Sequence, residues 1–416
     1  MGFDPTHFVT LSLRYFATIN MIYTSPHSNI NNIIGTTAED IDTRNQGSDR
    51  FLLMSVVILM TFGMLAVYSS IAFFAETKST TAGQLIIGHL VKLGIAFFVM
   101  LIASKMNYHT IAKFSRIGMV VSLFLLLAVL AFGTEQFGAK RWLNVGGFSF
   151  QPSMVATVSL MLHVCVLLSE KQEYIKDFKK TFMPIMFWVI LTCGLIGIED
   201  FSSAAILLGI CLVVMFIGRV SVIQLGSLVA IGILGGVLLL GQSTNRQDRI
   251  EQYLSQIKEI PSDHIIQGSG YQAQQAHIAI AKGELMGVGI GKSSQRDFLP
   301  APYNDFIFAI IAEEYGLIGA MSLILIFTLI LFRGIVFIAR NAEDHLGSLL
   351  AVACTLTIVF YGFVNAGVAS GILPVTGLPM PFVSYGGTSM LFAGLMAGIL
   401  LNISKHNRDR RAIFYG

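Results

Sequence analysis

Charge is scarce in this chain. Asp, Glu, Lys and Arg make up 12% of its 416 residues, while 54% are hydrophobic and the mean hydropathy is +0.71. No soluble domain needs that much apolar surface, so the composition excludes two or three ordinary globular domains. The net charge is only +3, which leaves no electrostatic footprint for nucleic acid. Cysteine is equally sparse. Cys165, Cys193, Cys211 and Cys354 sit in separate apolar stretches, without metal-ligand or disulfide spacing, and read as packing residues. A clean signal peptide is missing, because Phe8 to Tyr23 is interrupted by Arg14 and Asn20. An internal repeat of the kind that marks a transporter's paired halves is missing too.

What the chain has is apolar runs. A bilayer core about 30 Å thick takes about 20 helical residues at 1.5 Å each. On that rule the sequence predicts an all-α, polytopic integral membrane protein of about ten transmembrane helices: 51–74, 83–103, 117–133, 153–169, 182–198, 202–218, 222–241, 306–332, 346–366 and 386–403. Seventeen Lys and Arg flank one side of these spans. The short loops of the other side hold Lys78, Lys140 and Arg141. The positive-inside rule therefore puts both termini in the cytoplasm. Residues 1–48, rich in Asn, Thr, Ser and Asp, read as a mobile cytoplasmic extension, 49–403 as the membrane domain and 404–416 as a short basic tail.

The one long polar loop, 242–305, joins spans seven and eight and falls outside. It is partly structured: Ile250, Tyr253, Leu254 and Ile257 recur at helical spacing, as do Ala273, Ala276, Ile280 and Ala281. A smaller outer loop runs from Thr134 to Ser153. A third, Asn365 to Ser389, carries Pro374, Pro379 and Pro381. Irregular backbone at that depth must be buried in protein or line a cavity.

Asp305 stands where the long loop meets the eighth span. It is either a helix N-cap or a functional carboxylate. A helix N-terminus would lower its pKa and keep it ionised. It could then take a proton from a hydroxyl or hold a divalent cation, magnesium or manganese. Glu313 and Glu314 fall about 12–14 Å further down that helix, at the rise of 1.5 Å per residue. Ionisable groups at membrane depth are costly and usually face partners. Lys92 and His163 lie at similar depth, so a buried network of Lys92, His163, Glu313 and Glu314 is expected. Lys140, Arg141, Lys292 and Arg296 are outer-face cations. They are either solvated or a cradle for phosphate or pyrophosphate. The glycine run 287–291 before Lys292 and Ser293 lacks the first glycine of a phosphate loop, Met286 standing there, and follows no strand. Its glycines serve tight turns instead.

These same stretches resemble the SEDS family (shape, elongation, division and sporulation). The likeness covers about 49–403. It rests on Asp49-Arg50, Val67-Tyr68-Ser69-Ser70, Lys140-Arg141-Trp142-Leu143, Gln151-Pro152-Ser153, Gly270-Tyr271-Gln272, Ser294-Gln295-Arg296, Asn304-Asp305-Phe306-Ile307-Phe308, Asn365 with the three residues after it, and the run 373–389. The wording around Asp305 and 373–389 is closest to the FtsW-type division member. The resemblance implies a peptidoglycan glycosyltransferase that polymerises lipid II, a disaccharide-peptide on undecaprenyl pyrophosphate. It implies Asp305 as the essential acid. Lys140, Arg141, Lys292, Gln295, Arg296, Asn365 and Ser384 are the implied substrate-binding residues. No nucleotide is needed. The implied partners are a class B penicillin-binding transpeptidase and other division proteins at the septum. Two positions depart from the family. Its Gln-Pro-Ser-Glu-x-x-Lys pattern has Met154 and Thr157 here, and its Pro-Asp-Phe-Gly reads Glu199-Asp200-Phe201-Ser202. A lipid II flippase, an elongation polymerase of the RodA type and a non-catalytic division scaffold are the competing readings.

Overall fold

The computed structural model describes residues 48–77, 82–136, 139–145, 148–241, 244–257, 268–299 and 302–415. The expected N-terminal extension lies outside the described residues. Helices α1 (Arg50–Thr77), α2 (Ala82–Lys105), α3 (Tyr108–Lys113) and α4 (Ser115–Phe132) come first. Three short antiparallel strands follow, β1 (Thr134–Gln136), β2 (Ala139–Val145) and β3 (Phe148–Phe150), in the order β1-β2-β3. The apolar runs then give α5 (Pro152–Glu170), α6 (Met183–Glu199), α7 (Phe201–Ile217) and α8 (Val222–Gly241). The long loop contributes α9 (Thr244–Ile257) and α10 (Ser269–Gly283). The chain closes with α11 (Ile307–Phe332), α12 (His345–Ala369) and α13 (Gly387–Tyr415).

Among the described residues, nine helices are long and apolar enough to cross a membrane, and α7 is a tenth, shorter apolar helix. This is a multi-pass membrane protein. The hairpin of strands between α4 and α5 is the one feature an all-α reading misses. Its register pairs Leu143 with Phe150 and Thr134 with Trp142.

Burial separates centre from rim. The span window of α5 is 89% buried and that of α12 78%, against 11% for α8. α5 and α12 are therefore the core pillars, and α8 is a peripheral helix resting chiefly on α6, α7 and α9. Lipid offers no hydrophobic drive for helix association, so close packing has to supply it. Gly394 and Gly398, four residues apart on α13, do this against α2. A Cβ on Gly394 would lie 2.4 Å from the Ala96 carbonyl oxygen, and one on Gly398 2.5 Å from that of Met100. All four cysteines are buried and unbridged.

The end of the bundle away from the long loop is tied by an ion pair. Arg333 Nε and Nη2 donate to Asp49 Oδ2 at 2.9 and 2.8 Å. Asp49 Oδ1 accepts from the Leu52 amide, and the Asp49 amide donates to Ser404 Oγ. Asp49 is buried, so removing it strands the Arg333 guanidinium. Asp49→Ala is expected to cost about 3 kcal/mol, read as a drop in the thermal midpoint of the detergent-solubilised protein.

Candidate functional site

The turn Pro302–Phe306 delivers Asp305 to the loop end of the bundle, two residues before the start of α11. Phe306, not Asp305, holds the N-cap position, and no side chain caps the helix. The expected helix-lowered carboxylate is therefore corrected. Burial pushes Asp305 up to about 6 from its ordinary 3.8; Arg141 opposes this, Asp200 adds to it and Arg249 opposes it. Asp305 Oδ1 is sealed from solvent and has no hydrogen-bond partner among the described residues.

Two backbone clamps fix that turn. Asn365 Nδ2, from buried α12, donates to the carbonyls of Asp305 (2.9 Å) and Leu378 (2.8 Å). Ser384 Oγ donates to the Asn304 carbonyl at 2.6 Å and accepts from the Met380 amide. Both residues are buried, so they hold the site together and are not placed to touch a ligand. The irregular segment 370–386 between α12 and α13 supplies one wall. At Gly377, with φ +71°, a Cβ would come within 3.5 Å of Asp305 Oδ2 and 3.8 Å of Arg141 Nη1. Those are ordinary contact distances, so it is the positive φ that favours glycine there.

The result is a cavity of about 100 Å³ lined by Asp305, Arg141, Arg249, Trp142, Gln151 and Gln272, among others. A larger cavity of about 560 Å³ adjoins it, sharing Arg141, Arg249, Val375 and Thr376. Asp200 completes the electrostatics. It caps α7 through the Ser203 amide and hydroxyl, and its Oδ2 sits 3.4 Å from Arg141 Nη1. Gln151 Nε2 reaches the same oxygen at 3.5 Å. Arg141 also donates to the Glu199 carbonyl at 3.3 Å. Burial, and then Arg141, pull Arg249 below the usual arginine value, while Asp200 and Asp305 act the other way. Asp200, Arg249 and Gln272 were not singled out as site residues from sequence. Asp200 lay in a motif read only for its departures, and the loop helix bearing Arg249 carried no motif at all.

The other expected site residues go elsewhere. Lys140 lies on β2, with its side chain outside the described residues. Lys292 is exposed. Arg296 Nη1 donates to the carbonyls of Ser69 (2.9 Å) and Gly291 (3.1 Å), and its Nε lies 3.3 Å from Asp297 Oδ1. Gln295 is buried beside Glu313. Of the expected substrate-binding residues whose side chains are described, only Arg141 shares a cavity with Asp305.

The expected buried network is not assembled either. Glu313 accepts from the Ser294 amide (3.0 Å) and hydroxyl (3.1 Å), the Gln295 amide (3.3 Å) and the Ser293 hydroxyl. Glu314 accepts from the Ser69 hydroxyl. Lys92 Nζ lies 3.8 Å above the Tyr385 ring, and His163 packs edge-on to Trp188. Glu313 pairs with loop hydroxyls and amides because loop 284–297 reaches its depth, while Glu314 pairs with Ser69 of α1. The Met154–Thr157 substitution is absorbed without charge. Met154 packs with Tyr361 and Leu378, and Thr157 Oγ1 donates to the Ser153 carbonyl. Among the described residues, no group of three His, Cys, Asp or Glu could hold a metal ion.

Comparison with known proteins accounts for this architecture. Residues 49–409 match the "Cell cycle protein" family that groups FtsW, RodA and SpoVE. Stage V sporulation protein E of Bacillus subtilis is 35% identical over 374 residues, covering 88% of this chain and 99% of the relative. The probable peptidoglycan glycosyltransferase FtsW of the same organism is 32% identical, covering 86% and 90%. In fold, the chain is similar to a protein solved in a study of structural coordination of polymerization and crosslinking by a peptidoglycan synthase complex (TM-score 0.68, 23% identity, 86% and 98% covered). It is similar also to Thermus thermophilus RodA (TM-score 0.61, 23% identity, 87% and 97% covered). With its membrane region matched from end to end and close FtsW and SpoVE relatives, the chain belongs to the SEDS family and is FtsW-like.

Proposed function

We propose that this protein is a peptidoglycan glycosyltransferase that polymerises lipid II for septal wall synthesis. One observation carries the reading. A carboxylate with an unpartnered oxygen and a raised pKa stands at the wall of a cavity that also presents two guanidinium groups. Asp305 takes the proton from the acceptor sugar's hydroxyl as general base, which asks for a pKa near the working pH. The acceptor oxygen bonds to the donor's anomeric carbon. The bond from that carbon to the pyrophosphate oxygen breaks, and its electron pair leaves with the lipid pyrophosphate. Arg141 offsets the charge that develops there.

The seventeen-to-three split of flanking cations supports a cytoplasmic-membrane orientation with both termini inside and the cavities facing out. A class B penicillin-binding transpeptidase is the partner that would cross-link the product. That partnership is supported by the likeness to a protein from a synthase complex named for polymerization and crosslinking. No metal or cofactor is required by these steps. The flippase reading loses its main support, since Lys92, His163 and Glu313 each have separate local partners.

The test is a gel. Purified protein with its cognate transpeptidase and labelled lipid II should give glycan ladders, and Asp305→Asn should give none. Ladders from both would remove Asp305 from the mechanism. Lipid scrambling in vesicles without ladders would favour the flippase. Asn365→Ala is expected to lower turnover about tenfold while KM stays within about twofold, because it frees the Asp305 backbone without touching substrate. A rise in KM alone would place Asn365 on the substrate instead.

A further inference from the structure

Lys92 is a charge that neither the proposed chemistry nor the packing of the bundle explains. It sits on α2 about 15 Å below Ala82, the loop-end start of that helix, at the rise of 1.5 Å per residue. An ionisable side chain at that depth is costly and is held there by a partner. Its ammonium makes no hydrogen bond or ion pair among the described residues and lies 3.8 Å over the face of the Tyr385 ring. The side-chain stem runs beside the first residue of α13, where a Cβ on Gly387 would come within 3.2 Å of Lys92 Cδ. A cation beside a helix N-terminus has the wrong sign for the helix dipole, so the stability of α13 does not account for it. One turn up α2, the buried His89 ring stacks on the same tyrosine with centroids 5.3 Å apart, and both its nitrogens lack partners among the described residues.

Tyr385 leads to Asp305. Its amide donates to the Tyr303 carbonyl at 2.9 Å, and its ring meets the Tyr303 ring edge-on at 5.5 Å. Ser384 and Asn365 hold the next two carbonyls, those of Asn304 and Asp305. Three successive carbonyls of the turn are thus clamped, and Tyr385 holds the first. Tyr385 lies in the irregular segment before α13, where no helical ladder fixes it. The ammonium over its face and the imidazole stacked on it supply that orientation from α2. Resting on the glycosyltransferase reading, we propose that Lys92, with His89 beside it, is a positioning residue of the reaction: through the Tyr385 ring it holds the turn that presents Asp305 to the acceptor hydroxyl. It acts on geometry and not by its charge on the acid, since the charges that act on Asp305 are those of Arg141, Asp200 and Arg249. Lys92 lines neither cavity of the site, and α2 is a rim helix with 22% of its span window buried. The base is therefore braced from the lipid side of the bundle.

The test measures initial polymerisation rates with labelled lipid II and the cognate transpeptidase, together with the thermal midpoint in lipid nanodiscs, on the full-length protein. Lys92→Met keeps an unbranched stem and removes the charge. It should lower kcat about five- to tenfold while KM stays within about twofold. Its midpoint should not fall, because the change takes a costly charge out of the bilayer. Lys92→Arg should return kcat to within about twofold of wild type, since a guanidinium also seats on an aromatic face. Tyr385→Phe keeps that face and should keep the dependence on Lys92. In Tyr385→Leu, which lacks it, adding Lys92→Met should lower kcat no further. Gly94→Ala, on α2 with open space around it, is the control and should turn over like wild type. Full turnover by Lys92→Met, an equal loss in Lys92→Arg, a rise in KM alone, additive losses in the double variant, or a fall in midpoint that tracks the fall in rate would each overturn the positioning role and leave the enzyme reading standing. Unchanged polymerisation by Asp305→Asn would instead overturn the base on which that role depends.

Discussion

Asp305→Asn is expected to lower polymerisation by about 10²- to 10⁴-fold, the range a positioned general base supplies, in a protein that stays folded. The amide keeps the size of the carboxylate and removes its charge, and the clamps on this turn run through backbone carbonyls that the substitution does not touch. The pH dependence gives the independent check. With the carboxyl pushed up to about 6, the acid limb of kcat/KM should fall near pH 6 and not near the ordinary 3.8. Arg141→Ala removes a cation that lowers this pKa, so its acid limb should move to higher pH while its rate drops. Stability should follow the opposite sign from a salt-bridged Asp. The folded pKa lies above the unfolded value, so the folded state binds more protons between about 3.8 and 6. This group's contribution is present at low pH and is lost as pH rises through 6. Asp305→Asn removes that slope and should be at least as stable as wild type at pH 7. An acid limb at 4, or a variant that unfolds, would contradict the burial argument.

Most of the fold could be read from the sequence because membrane-spanning helices declare themselves locally. Ten apolar runs and cations in the flanks need no knowledge of distant contacts. Even the two loop helices followed from Ile250, Tyr253 and Leu254 and from Ala273, Ala276 and Ile280. The site was legible only as far as a motif reached. Asp305 and Arg141 carried one. Asp200 meets Arg141 across 59 residues of chain, and Arg249 reaches the same wall from a loop helix. No periodicity announces such a meeting. Asn365 and Ser384 show the same limit. A motif marks a residue as fixed, and only packing shows that it is fixed for holding Asp305 and Asn304 by their carbonyls. Helical rise along α11 places Glu313 and Glu314 deep, as Lys92 is, but it cannot show that loop 284–297 reaches the same depth and supplies the Glu313 partners first.

That helix is broken, and the break carries the second large effect. Gly316 has φ +68° and ψ −166° inside α11, which leaves backbone groups of 313–318 without helical partners. Loop 284–289 supplies them. The Val288 and Gly289 amides donate to the Glu313 and Glu314 carbonyls at 2.9 and 3.1 Å, and the Leu317 amide donates to the Glu284 carbonyl at 2.9 Å. Backbone can approach this closely only where side chains are absent. A Cβ on Gly287, where φ is +80°, would lie 2.1 Å from the Glu314 carbonyl oxygen, and one on Gly316 2.4 Å from the Gly287 nitrogen. Both collisions are with backbone, which has no rotamer to escape into, and both positions add left-handed strain of about 1–2 kcal/mol. Gly287→Ala and Gly316→Ala should therefore each cost more than about 3 kcal/mol, seen as a large drop in thermal midpoint and faster amide exchange across 284–297. Gly209→Ala, on α7 with open space around it, is the control and should cost nothing or stabilise slightly. Polymerisation should fall with the loop, because the chain leaving it runs within a few residues into the turn that carries Asp305. A Gly287→Ala protein with wild-type stability and activity would mean that the loop does not seat in the broken helix, and the local partners assigned to Glu313 and Glu314 would fall with it.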